Sequence, residues 1–190
     1  ILRKLKKKTN NLKVCVFCGS RYGEDGDYKV LTRELGRLIA SEGWHLIYGG
    51  GKTGLMGTLS KTIKKLNGSI TSVIPKIFNK KTIINRKVDK IILTRDIFTR
   101  KKYMIKEADF FIVLPGGLGT FDEIFEILCL DSLGIINKPI IFLNFKKYWL
   151  PFKAFLKHAE KSGFLYKKNK ENIKFISSVD KTIEFIKHSM

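Results

Sequence analysis

The residues best equipped for chemistry lie in the run Leu114-Pro115-Gly116-Gly117-Leu118-Gly119-Thr120-Phe121-Asp122-Glu123. Its three glycines lack Cβ atoms, so a ligand can come up against bare main chain. A helix opening here would also turn its free N–H groups and its positive dipole end toward an anion. Gly116, Gly117, Leu118, Gly119 and Thr120 can therefore wrap a phosphate, with Asp122 in the first helical turn beside them. Glu123 has two readings. Thr120 and Glu123 carry the S/T-x-x-E spacing of a capping box, which by itself accounts for both residues. A cap also fixes a carboxylate, and one fixed at a helix N-terminus should stay ionised, ready to act as a base or to stabilise a cation.

A second glycine run, Gly49-Gly50-Gly51-Lys52-Thr53-Gly54-Leu55-Met56-Gly57, satisfies G-x-G-x-x-G through Gly49, Gly51 and Gly54. It makes Gly49, Gly50 and Gly51 candidate ligand contacts, with helix N–H groups aimed at an anion. A dinucleotide site would want an acidic residue about 20 positions on. That distance falls near Ile74-Pro75, and the next acid is Asp89. A phosphate loop of the Walker type would need glycine at position 46, which is Leu46. The run thus predicts a phosphate or ribose nearby, or else a tight strand-to-helix turn with no ligand. Arg100 and Lys101 leave the same end of the predicted sheet and can reach a ligand there, whereas Lys102 reads as part of a solvated face.

What must position these loops is an alternation of short apolar strands and amphipathic helices. Strands are predicted over 12–18, 44–48, 69–74, 88–93, 110–114, 139–143 and 173–176. Helices are predicted from Asp27, as cap, to Ser41, and over 55–66, 97–107, 120–133, 149–161 and 179–187. Gly43 and Asn67-Gly68 act as stop signals, and residues 76–87 form a polar connection without an assigned element. Wholly apolar strands alternating with helices mean βαβ units and a parallel sheet covered on both faces. The expected fold is α/β, a single Rossmann-like domain over residues 12–190 behind a basic tail of residues 1–11. Both glycine loops follow strand C-termini, where such sheets bind ligands.

The chain has 190 residues, 44% of them hydrophobic, which suits one well-buried domain. No apolar run approaches the ~20 residues that span a bilayer. The basic start, Ile1 to Asn10, lacks the apolar core of a secretory signal, so a cytoplasmic protein with no membrane partner is expected. Cys15 and Cys18 have C-x-x-C spacing, but on a strand they face opposite ways, which predicts two buried thiols rather than a metal or redox site. The formal net charge of +20 invites nucleic acid as a partner. The excess is nearly all Lys, whereas base reading and bidentate phosphate contact favour Arg, so nucleic acid is not the expected partner.

Taken together, these residues resemble the Lonely Guy family, the cytokinin riboside 5′-monophosphate phosphoribohydrolases, whose members have also carried the label lysine decarboxylase. The marker P-G-G-x-G-T-x-x-E stands intact at Pro115 to Glu123, and G-G-G-x-x-G-L-M-G at Gly49 to Gly57. F-C-G-S stands at Phe17-Cys18-Gly19-Ser20, the Arg-Lys pair at Arg100-Lys101, and L-G followed by K-P at Leu133-Gly134 and Lys138-Pro139. The resemblance implies hydrolysis of the N-glycosidic bond of a nucleoside 5′-monophosphate, AMP or an N6-substituted AMP, to a free base and ribose 5-phosphate. A non-catalytic nucleotide carrier on the same fold is the alternative. Arg100 and Glu123 would be the catalytic pair, with Ser20 and Lys101 joining the loop residues in binding substrate. No metal or cofactor is implied, and a homodimer is, which the apolar faces of Ile124 to Ile136 would suit. The chain departs from the family where M-H-E is Ile97-Phe98-Thr99 and where T-W is Cys129-Leu130. The family's binding glutamate aligns with the stretch Lys80-Lys81-Thr82. These departures bear on the base pocket.

Overall fold

The computed structural model describes residues 11–78, 84–165 and 172–189. Among them lie seven strands and six α-helices, a helix following every strand except the third. The strands are β1 (Lys13–Phe17), β2 (His45–Tyr48), β3 (Ile70–Pro75), β4 (Lys90–Thr94), β5 (Phe110–Val113), β6 (Ile140–Leu143) and β7 (Ile173–Ile176). The helices are α1 (Asp27–Ser41), α2 (Gly54–Lys65), α3 (Ile97–Glu107), α4 (Leu118–Ser132), α5 (Leu150–Lys161) and α6 (Val179–Ser189). All neighbouring strands are parallel, in the order β4-β3-β2-β1-β5-β6-β7. The chain winds outward from β1 through β4, returns to the centre, and winds the other way from β5 to β7. The connections leaving β1 and β5 therefore diverge and open a crevice beyond their C-terminal ends.

Alternation along each strand divides the core into two layers. Val14 and Val16 pack with Leu35 and Ile39 of α1, Leu59 and Ile63 of α2, and Ile186 of α6. Cys15 and Phe17 face the other way, onto Met104 and Ile105 of α3, Ile124 and Ile127 of α4, and Trp149. Each such side chain taken fully from water stabilises the fold by roughly 1.5–3 kcal/mol. Cys15 and Cys18 lie in opposite layers as free, buried thiols, and burial pushes both well above the usual thiol range. No helix among the described residues is long and apolar enough to cross a membrane.

The predicted stop signals act where expected. Gly43 takes φ +67° after α1 and Asn67 takes φ +56° after α2. The Gly68 N–H then closes onto the Ile63 carbonyl at 2.9 Å. Two start signals need correction. Asp27 is the first residue of α1 and not its cap; the Asp25 carboxylate accepts the Asp27 N–H at 2.9 Å instead. β4 begins at Lys90 and not Val88; just before it the Asp89 carboxylate accepts the Ile70 N–H at 2.9 Å and pairs with Lys64. The basic tail up to residue 10, and the stretch at 80–82 that aligns with the family's binding glutamate, lie outside the described residues.

α3, which carries Arg100, is held at both ends. The Asp96 carboxylate accepts the Thr99 N–H at 2.7 Å. Lys138 Nζ donates to the carbonyls of Ile105, Lys106 and Ala108 at 2.8, 3.1 and 2.6 Å. A cation on the last carbonyls of a helix satisfies acceptors that have no partner within it.

Candidate active site

Three loops meet at the crevice: the one after β1 (Gly19 to Tyr22), the first glycine loop after β2, and the second after β5. They wall a cleft of about 940 Å³. The Gly19 N–H donates to the Pro115 carbonyl at 3.0 Å, joining the β1 and β5 loops across the switch point. Ser20, Gly49, Gly50, Gly51, Arg100, Gly116, Gly117, Leu118, Gly119, Thr120, Asp122 and Glu123 all line the cleft.

Arg100 and Glu123 are brought together although 23 positions separate them. Arg100 Nη2 lies 2.9 Å from Glu123 Oε1, with Arg100 16% and Glu123 8% exposed at the side chain. The Arg100 Nε–H donates to the Val73 carbonyl at 3.1 Å, which fixes the plane of the guanidinium. The pair also explains Gly49: a Cβ there would stand 2.1 Å from Arg100 Nη2. The first glycine loop is thus the surface against which the guanidinium rests.

The two glycine loops differ in what their helices can offer an anion. At the start of α2, the Leu55 N–H donates to the Gly19 carbonyl at 3.1 Å and the Met56 N–H to the same carbonyl at 3.4 Å. Protein carbonyls occupy those amides, so the expectation that the first loop aims helix N–H groups at an anion is corrected. Its contribution is bare main chain along the wall. At the start of α4 the amides of Leu118, Gly119 and Thr120 belong to the first turn, which has no acceptors within the helix.

The capping box at Thr120 and Glu123 is also corrected. α4 begins at Leu118 with Gly117 at the cap position and no side-chain cap. Thr120 therefore sits inside the first turn, and Glu123 is a full turn in, free to reach across to Arg100. Glu123 is not simply held ionised by the helix end: burial pushes its carboxyl above the usual range, while the Arg100 guanidinium pulls it back. The buried position of Glu123 is the physical reason, since it removes the water that would solvate a carboxylate.

Lys101 does not face the cleft. Its ammonium is buried and lies 2.8 Å from Asp122 Oδ1 and 2.5 Å from Glu126 Oε2, so it ties α3 to α4. Arg100 must point inward, and its neighbour in a helix is rotated by about 100°, which places Lys101 on the α4 side. Lys102 is exposed, as expected. Sequence reading missed several cleft residues: Arg21, Tyr28, Met56, Phe78, Ile84, Leu55 and Tyr148. They come from α1, α2 and the connections after β1, β3 and β6, with no common spacing. Ile97, where the family pattern has a different residue, also lines the cleft.

A doubly wound parallel sheet, with its cleft at the switch point and a buried cation–carboxylate pair beside an open helix N-terminus, defines a Rossmann-like α/β protein. The family model described as "Possible lysine decarboxylase" matches residues 56–186. The chain belongs to that family, the Lonely Guy proteins. It is 37% identical over 153 residues to the cytokinin riboside 5′-monophosphate phosphoribohydrolase of Rhodococcoides fascians, covering 80% of this chain and 77% of that one. It is also 37% identical over 153 residues to a probable enzyme of the same name from Oryza sativa subsp. japonica, of which it spans 63%. Among solved structures, the molybdenum cofactor binding protein of the phototrophic bacterium Rippkaea orientalis superposes with a TM-score of 0.72 at 26% identity. That match covers 95% of this chain and 98% of the other.

Proposed function

We propose that this protein is a phosphoribohydrolase that cleaves the N-glycosidic bond of a nucleoside 5′-monophosphate, AMP or an N6-substituted, cytokinin-type AMP. The observation that carries this reading is the buried Arg100–Glu123 pair, set 2.9 Å apart in a cleft that also holds the uncapped N-terminus of α4. The names of the relatives point to the same reaction. In it, the 5′-phosphate rests on Gly116 to Thr120, with Ser20 across the cleft. As the bond from C1′ to the base breaks, its electron pair leaves with the base and the sugar becomes oxocarbenium-like. Glu123 stabilises that charge, takes a proton from the water that attacks C1′, and returns it to the departing base. A carboxyl raised by burial suits a group that must both accept and release a proton. Arg100 keeps Glu123 in place and can turn to the substrate's anionic end.

The cleft wall beyond the pair is mostly apolar, with Met56, Ile74, Phe78, Ile84 and Ile97 in it. This favours a base with an apolar substituent. We further propose that the protein works in the cytoplasm as a homodimer. Exposed Leu118, Phe125, Leu150 and Phe155 form an apolar margin on α4 and α5 that a second copy would cover.

The test is incubation with AMP and with isopentenyl-AMP, followed by chromatography for free base. We expect release by the wild type and a loss of about 10²-fold or more in Glu123→Ala. A second reading, a carrier without turnover, draws on the cofactor-binding protein of similar fold. Tight AMP binding with no base released, at any pH, would establish it and end the enzymatic reading.

A further inference from the structure

We propose that Tyr148 is a positioning residue that sets the phosphate cradle, a role no motif in the chain announces. The proposal rests on the phosphoribohydrolase reading and adds to it the part of the molecule that holds the second glycine loop in shape. The Tyr148 hydroxyl donates to the Gly116 carbonyl at 2.7 Å. The Pro115 carbonyl is taken by the Gly19 N–H at 3.0 Å. A trans peptide points its N–H opposite to its C=O. Tying these two carbonyls therefore fixes the directions of the Gly116 and Gly117 N–H groups, the first two donors of the cradle. Without the phenol, the Gly116–Gly117 peptide has no anchor on its carbonyl side and can rotate, because both flanking residues are glycine.

The phenol is itself held. The Tyr148 ring packs edge-on against Tyr28 and Trp149, with centroids 5.8 and 4.9 Å apart. Two residues earlier, Lys146 Nζ lies 2.6 Å from both Asp25 Oδ2 and Asp27 Oδ2. The Asn144 side-chain carbonyl accepts the Trp149 N–H at 2.8 Å. The loop after β6 thus fastens to the loop after β1 and, through Tyr148, to the loop after β5. Gly116 leaves no slack: a Cβ there would lie 2.1 Å from Thr120 Oγ1 and 3.0 Å from the Gly19 amide nitrogen. The carbonyl that Tyr148 grips belongs to a residue already closed in on two sides.

The experiment is Tyr148→Phe, which removes the hydroxyl and keeps the ring contacts. Inhibition constants for ribose 5-phosphate and for the free base are measured alongside kcat and KM for AMP or isopentenyl-AMP. We expect KM and the ribose 5-phosphate constant to rise together by about tenfold, the effect of one hydrogen bond. The free-base constant should not move. Lys146→Ala, which loosens the loop without touching the cradle, should shift the same two constants in the same direction by a smaller factor. Thermal melts show that each variant is folded. A Tyr148→Phe protein with a lower Tm and unchanged constants for both phosphorylated ligands would overturn the proposal, leaving the phenol a structural group. The wild type separates the two readings. If it neither releases base nor binds ribose 5-phosphate, the phosphoribohydrolase reading fails and this proposal with it. If it does both and the variant matches it, only the role of Tyr148 fails.

Discussion

Glu123 is the residue on which the proposed chemistry turns, and its surroundings make a pH prediction. Burial raises its carboxyl above the usual value, against the pull of Arg100. The proposed roles need the ionised form in the free enzyme. The acid limb of a kcat/KM–pH profile should therefore lie above the range of an ordinary glutamate, which is about 4.3. A limb at that ordinary value would show that Glu123 is solvated in the working enzyme. The stability effect has the opposite sense. A carboxyl whose folded pKa is raised binds more protons in the folded state, so its contribution is full below the unfolded pKa and is lost as pH rises through the folded one. Wild-type stability should decline over that window relative to Glu123→Gln, as read from urea midpoints at several pH values.

At the scale of elements, α3 and α4 must be locked together for Arg100 and Glu123 to meet. Lys101 does this by joining Asp122 and Glu126. In Lys101→Met the helices lose that tie. The two carboxylates keep partial access to water, at 53% and 30% exposed, so the cost in stability should be modest, about 1–2 kcal/mol by urea unfolding. The kcat should fall more than KM rises, because the lysine holds the pair and does not touch the ligand. A rise in KM alone would return Lys101 to the substrate. The loop after β6 makes a second prediction. Lys146 and Lys147 both have left-handed backbone, at φ +49° and +62°. Lys147 has neither of the Asp partners that hold Lys146. Lys147→Gly should relieve steric strain and stabilise the protein by about 1 kcal/mol, seen as a higher Tm. A lower Tm would mean that the loss of chain entropy outweighs that strain.

Across the whole molecule, the apolar margin of α4 and α5 and the high charge make different demands. The margin contains Phe125 at 49% and Phe155 at 54% exposure, beside Phe121, Phe152 and Trp149 in one aromatic groove. Phe155→Glu should convert the proposed dimer to monomer in sedimentation velocity. A wild type that sediments as a monomer at all concentrations would remove the dimer proposal. The net charge of +20 favours the approach of anions, which suits the phosphate-bearing substrate proposed above.

Much of the molecule is legible in the chain itself. Helix α3 spans the residues predicted for it, 97–107, because apolar residues at helical spacing and an acidic residue at its start, Asp96, are local signals. The two-layer core follows from wholly apolar strands, whose successive side chains point to opposite faces and so must be covered on both. The Gly-rich loop at Pro115 to Glu123 lines the cleft, as a glycine run after a strand C-terminus predicts. What remained hidden depends on partners distant in sequence. Glu123 reads as a cap because its true partner, Arg100, is 23 positions away, and Lys101 reads as a ligand contact because its carboxylates lie on another helix. The first glycine loop resembles an anion site until the Gly19 carbonyl is seen occupying its amides. Tyr148 carries no motif at all. Local sequence determines where elements begin, end and turn their apolar sides. Only the packed sheet decides which charges meet, which amides stay open and how far burial moves a carboxyl, because those are set by neighbours that the chain brings together through folding.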